Sequence, residues 1–197
     1  MNNAPLNLAV IIGSVREGRM GPTVANWFAT EAQEHGGYNV DVIDLAEYDF
    51  PANMSRNESV NAFADRIGAA DAFVVITQEY NHSFGGHLKV AIDALKEEWK
   101  GKPVGFVAYG GLSAGLRAVE ALRIVFAEVH STTIRETVAF PLAWTKFDEN
   151  GQPIEADAVN TAARLLLDNL EWWGVALREM RNRVPYGQPV GAAIAAD

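Results

Sequence analysis

Five short apolar runs organise this chain, separated by longer stretches in which apolar residues recur every three or four positions. Residues 6–12 (LNLAVII) carry no polar side chain from Leu8 to Ile12 and read as a strand buried on both faces. Residues 39–44 (NVDVID), 72–77 (AFVVIT) and 103–109 (PVGFVAY) are similar runs, while 133–139 (TIRETVA) alternates as an edge strand does. Between them, Val60, Phe63, Ala64 and Ile67 follow the i, i+3, i+4, i+7 rule of a one-faced helix. Leu88, Ala91, Ile92 and Leu95 do the same, as do Val119, Leu122 and Phe126, and Val159, Ala163, Leu166 and Leu170. A further helix opens near Pro22, since proline suits a first helical turn. Strand–helix units in this order predict an α/β fold with a doubly wound parallel sheet and right-handed crossovers.

No shift of composition splits the 197 residues, so residues 1–184 are expected to form a single domain. Residues 141–157 read as irregular, with a turn at Asn150-Gly151. Residues 185–197 are small and weakly patterned, which predicts a flexible or subunit-contacting tail.

Charge and composition then remove function classes. The net charge is −9, from 16 basic and 25 acidic side chains, and a chain that reads nucleic acid needs a basic face. There is no cysteine, which excludes disulfides, thiol nucleophiles and thiolate-held metals. No apolar run approaches membrane-spanning length and the start lacks a signal pattern, so a cytoplasmic protein with no membrane partner is expected. His82 and His87, five apart with Glu79 near, match no common ligand spacing; no metal site is expected.

In a sheet of this kind, ligands bind beyond the carboxyl ends of the strands. Three loops fall there. The first, Gly13 to Thr23, offers Ser14, Arg16, Arg19 and the helix start at Gly21, Pro22 and Thr23. Free backbone N–H groups and the positive end of a helix meet two guanidiniums, which is the chemistry of a phosphate site. The second loop runs from Gln78 through Glu79, Tyr80, Asn81 and Ser83 to Gly85-Gly86, and the third holds Gly110, Gly111 and Ser113. One anion cradle beside an aromatic-polar loop and a flat glycine loop suits a ligand with a phosphate end and a planar end. Trp99, Trp144, Trp172 and Trp173 are assigned to core or subunit contacts.

Common alternatives lack their residues. The first loop has neither G-x-G-x-x-G nor G-x-x-x-x-G-K-[ST]. Gly111-Leu112-Ser113-Ala114-Gly115 matches the G-x-S-x-G nucleophile elbow. The only later histidine, though, is His130, and the acids Glu120 and Glu128 lie in the same helical stretch, so no triad can assemble.

On these residues the chain resembles the NAD(P)H-dependent FMN reductases, the flavodoxin-like group that includes quinone, azo-dye and chromate reductases. GSVREGRMGPTVANW is similar to the family's phosphate loop, EYNHSFGGHLKVAIDAL to its flavin-ring segment and YGGLSAGLRAVEALR to its third loop; the Trp172-Trp173 pair resembles its late helix. Three positions depart. The family's proline before Glu-Tyr-Asn is Gln78, its proline after Ser-Phe is Gly85, and its asparagine after Leu-Lys is Val90.

The resemblance implies a flavodoxin-like three-layer α/β/α domain with a five-stranded parallel sheet of order 2-1-3-4-5 and FMN at its switch point. Ser14, Arg16 and Arg19 would hold the phosphate, with Gly21, Pro22 and Thr23 closing the loop. Glu79, Tyr80 and Asn81 would line the ring largely through backbone, supported by Ser83, with Gly110, Gly111 and Ser113 on its pyrimidine side. It also implies NADPH or NADH as donor and a small-molecule electron acceptor: a quinone, azo compound, metal oxyanion, oxygen or free flavin. Ping-pong hydride transfer, no side-chain catalyst and a homodimer or homotetramer complete the expectation. The competing expectation is a non-enzymatic flavodoxin-like electron carrier, against which the arginine-bearing phosphate loop stands.

Overall fold

The computed structural model describes residues 4–191, so the last part of the expected tail, residues 192–197, lies outside the described residues. Five parallel strands form one sheet: β1 (Leu6–Ile12), β2 (Tyr38–Asp44), β3 (Ala72–Gln78), β4 (Pro103–Gly110) and β5 (Thr132–Pro141). Their order is β2-β1-β3-β4-β5, as the resemblance implied. Five helices connect or follow them: α1 (Gly21–His35), α2 (Glu58–Ala69), α3 (Gly86–Asp93), α4 (Leu116–Glu128) and α5 (Ala156–Arg183). None of the described helices is long and apolar enough to cross a membrane.

Strand alternation divides the core in two. Leu8, Val10, Ile12, Val74, Ile76 and Val107 point to the side of α1 and α5, where Trp27, Phe28, Leu166 and Leu170 close over them. Ala9, Ile11, Phe73, Val75 and Phe106 point to the side of α2, α3 and α4, against Phe63, Ile67, Ile92, Trp99 and Phe126. Burying both faces is why the central strands read as continuous apolar runs. The outer strands β2 and β5 carry mixed patterns because each is hydrogen-bonded along one edge only.

The helix ends follow local chemistry. Asn57 caps α2, its Oδ1 accepting from the Val60 amide at 2.7 Å. Gly36, with φ of +82°, ends α1 in the left-handed region. Gly174 lets α5 lie on β1: a Cβ there would stand 2.5 Å from Leu6 Cδ1. Tyr186, in the described part of the tail, folds back on its own chain, its hydroxyl 3.3 Å from His130 Nδ1.

Lys102 is a buried cation at the foot of β4. Its ammonium donates to the Ile67 and Gly68 carbonyls at 2.8 and 2.9 Å, at the C-terminal end of α2. Burial, reinforced by Arg181 and opposed by Asp71 and Glu98, pushes its pKa down to about 8. Above that pH the folded chain releases this proton while an unfolded chain holds it up to the ordinary lysine range. Stability from this group therefore rises with pH. Tyr38 and Tyr109, both pushed upward by burial, act in the opposite sense above pH 10. The expected result is a gain of about 2 kcal/mol between pH 8 and 10, present in wild type and absent in Lys102→Met, read from urea unfolding at each pH.

Candidate functional site

The carboxyl ends of β1, β3 and β4 open into a cleft of about 140 Å³ that widens toward solvent. Its walls are Arg16, Arg19, Met20, Gln78, Glu79, Tyr80, Tyr109, Gly110, Gly111, Ala143 and Trp144. A wider, shallower groove lies between α4, β5 and α5. Of its two arginines, Arg123 is already satisfied by the Ile134 and Arg135 carbonyls and by Thr137, and Arg135 projects into solvent, 92% exposed and 3.8 Å from Glu136.

The phosphate-type loop begins where the Gly13 amide donates to the Ile76 carbonyl at 2.9 Å, tying β1 to β3 at the cleft floor. A Cβ at Gly13 would crowd Leu88 and Ile76 O at 3.1 and 3.2 Å, so the loop root admits little more than glycine. Further along, α1 starts at Gly21 with no side-chain cap and no acidic residue in its first turn. Its first N–H groups and positive dipole end are thus uncompensated.

Beneath this helix start lie Ser14, 1% exposed, and Tyr109, 7% exposed. The two hydroxyls stand near each other without a well-formed hydrogen bond, and the side-chain oxygen of Gln78, which is 4% exposed, has no partner either. Buried polar atoms are nearly always paired, so three orphans at one cleft floor point to a ligand that answers them. Burial pushes the Tyr109 hydroxyl up to about 12, keeping it a protonated donor through the neutral range. Gly21 is what lets these groups approach, since a Cβ there would stand 2.3 Å from Ser14 Oγ and 3.2 Å from Tyr109 Oη.

The two arginines of the loop are not equivalent. Arg19 is largely buried and occupied: it donates to the Ser14 carbonyl at 2.7 Å and pairs with Asp44 at the end of β2. It braces the loop and presents only part of its guanidinium to the cleft. Arg16 is exposed, lies 5.7 Å from the centroid of the Tyr80 ring, and has no ion pair among the described residues. It is the free cation.

The opposite wall is a tight hairpin. Tyr80 and Ser83 exchange backbone hydrogen bonds at 2.8 and 3.0 Å, and Asn81 and His82 between them both take positive φ, +49° and +75°. Two left-handed central residues make this a two-residue turn of the primed type, for which asparagine is favoured and histidine is not. The Glu79 carboxylate, 6% exposed, is engaged by Arg117. It accepts from the Arg117 amide at the start of α4 and meets the Arg117 guanidinium at 3.2 Å. Glu79 therefore gives the cleft its backbone, and its charge serves the N-terminus of α4.

The third loop is pulled in by the chain after β5. The Leu142 amide donates to Gly111 O at 3.1 Å, and Leu142 itself is left-handed, with φ of +48°. That bend launches the short turn Ala143–Thr145 and sets Trp144 on the cleft rim, 66% exposed. Trp144, expected in the core or in subunit contacts, thus lies outside the core and borders the cleft. Ala114 is also left-handed, so four strained non-glycine residues (Asn81, His82, Ala114 and Leu142) ring the site.

Of the residues expected from sequence, Arg16, Arg19, Glu79, Tyr80, Gly110 and Gly111 line the cleft directly. Ser14 lies under it and Gly21, Pro22 and Thr23 form the helix start above Ser14. Asn81, Ser83 and Ser113 shape the loops but do not line the cavity. Met20, Gln78, Tyr109, Ala143 and Trp144 are additions. Tyr109 was legible in principle, as the last inward-facing aromatic of its strand. No triad forms: the 13-residue α4 separates Ser113 from His130, which faces Tyr186.

Residues 6–145 match the family described as NADPH-dependent FMN reductase. An NAD(P)H-dependent FMN reductase of Schizosaccharomyces pombe is 35% identical over 121 residues, 55% of this chain and 60% of that protein. The match therefore spans about three-fifths of that relative's length. A 2-hydroxy-1,4-benzoquinone reductase of a Burkholderia species is 30% identical over 128 residues, covering 64% of this chain and 67% of that protein. A solved flavoenzyme, an NAD(P)H:(acceptor) oxidoreductase of Paracoccus denitrificans, superposes with a TM-score of 0.67 at 22% identity over 88% of this chain and 98% of its own, a likeness of fold.

Proposed function

Because this chain belongs to the NADPH-dependent FMN reductase family, we propose that it holds FMN in the cleft, accepts hydride from NADPH or NADH, and reduces a small quinone-type acceptor. When bound, FMN supplies a ring that takes two electrons as hydride and passes them on. What carries the reading is the floor of the cleft: orphaned Ser14, Tyr109 and Gln78 groups beneath an uncapped helix N-terminus.

The residues divide the work. The first amides of α1, the Ser14 hydroxyl and Arg16 receive the phosphate, with Arg19 fixing the loop to Asp44. Tyr80, Gly110, Gly111 and Trp144 give the planar part its walls. The Tyr109 hydroxyl donates at the floor and keeps its proton at working pH. No side chain has to transfer a proton, and the exposed rim at Trp144 leaves the cleft open to a nicotinamide and then to the acceptor.

The quinone preference draws on the Burkholderia relative. A homodimer or homotetramer belongs to the same proposal, and a monomer in sedimentation equilibrium would remove it. The deciding assay mixes protein, FMN, NADPH and a benzoquinone. Steady loss of NADPH absorbance, with parallel double-reciprocal lines as quinone is varied, is the expected result. An electron carrier without hydride chemistry would leave NADPH unconsumed with every acceptor.

A further inference from the structure

Gln78 closes β3 with a side chain 4% exposed, and its carboxamide oxygen has no partner. Its terminal nitrogen stands 2.4 Å from where a Cβ on Gly85 would lie, and its Cδ 3.5 Å from that point. The carboxamide thus fills the volume that any side chain at 85 would need. The Gly13 carbonyl is 3.9 Å from the same point, so the amide sits beside the root of the phosphate-type loop. It also lines the cleft.

This is a particular place in the site. The phosphate loop leaves β1, and the ring walls leave β3 and β4, so the end of β3 lies under whatever joins phosphate to ring. In FMN that link is the ribityl chain, whose hydroxyls each donate and accept. A carboxamide also does both.

We infer that Gln78 binds the ribityl chain of FMN, and that residue 85 is glycine because a side chain there would evict the amide. The inference rests on the FMN reading above. It joins two departures from the family pattern, Gln78 and Gly85 each standing for proline, into one coupled exchange. A proline ring at 85 would collide with the glutamine, and a proline at 78 would leave the space over Gly85 empty.

The test titrates the flavin-stripped full chain with FMN and, separately, with riboflavin, following quenching of flavin fluorescence. Gln78→Leu is expected to raise Kd about tenfold for both flavins, by the same factor, since the ribityl chain is common to them. Gly85→Ala should do the same by displacing the amide, and the double variant should be no worse than Gln78→Leu alone. Circular dichroism checks folding, and if the leucine variant fails to fold, Gly85→Ala carries the test. Wild-type affinity for both flavins in these variants would overturn the role of Gln78, as would a loss confined to FMN, which would place the amide with the phosphate. A wild-type chain that bound neither flavin would bring down the FMN reading itself.

Discussion

The double variant Arg16→Ala, Arg19→Ala is expected to bind FMN at least about a hundredfold more weakly than wild type. A hydrogen bond to a charged group contributes about 1.5–3 kcal/mol; Arg16 supplies one to the phosphate, and Arg19 holds the loop in the shape that presents it. The single variants should separate affinity from stability. Arg16 is exposed and has no ion pair among the described residues, so its removal should lower affinity and leave the unfolding midpoint where it was. Arg19 is different: its side chain is 16% exposed, Asp44 is 17% exposed, and the pair holds the loop to the end of β2. Removing Arg19 strands a carboxylate and the Ser14 carbonyl, at a stability cost of about 1–3 kcal/mol in addition to weaker binding. Flavin titration and urea unfolding on the three variants read both effects. Wild-type FMN affinity in the double variant would remove the phosphate from this loop.

Gly115→Ala should be among the most damaging single changes to the fold, costing about 3 kcal/mol or more in urea unfolding. Two penalties coincide there. The residue has φ of +84°, and a Cβ would stand 2.8 Å from the Tyr109 amide nitrogen, 2.9 Å from Ala108 Cβ and 3.0 Å from the Tyr109 carbonyl oxygen. Two of those neighbours are strand backbone and the third is a β-carbon fixed to it, so none can yield as a flexible side chain would. Gly111→Ala is the matched control, since no atom outside its immediate neighbours lies within 4 Å of a Cβ there. Its effect should stay within about 0.5 kcal/mol. Equal losses in the two variants would show that the third loop tolerates or rejects side chains for some reason other than this contact.

The strands were legible in the sequence because the inner ones are buried on both faces, and a run such as Leu8 to Ile12 has no other comfortable place. Their ends were less so: β5 spans Thr132–Pro141, beyond its alternating centre, and the register slips between Val104 and Phe106. In the site, the loops were legible from their position after strands and before helices. Long-range partnerships were not. Nothing near Arg19 in the chain announces that Asp44 holds it, and nothing near Trp144 announces that a left-handed Leu142 swings it over the third loop. The departures at Gln78 and Gly85 could be seen one at a time, but that they compete for one volume requires the fold to bring them together.

The bent residues around the opening bear on how such a protein can be made hardier. His82, Ala114 and Leu142 hold a backbone geometry that costs an ordinary side chain about 1–2 kcal/mol, against a folding margin of about 5–15 kcal/mol in all. Selection in the laboratory for survival at high temperature would find its easiest gains by installing glycine at these rims. The winners would be tougher proteins with a softened mouth, so heat tolerance and selectivity toward whatever enters would be traded against each other at the same few positions.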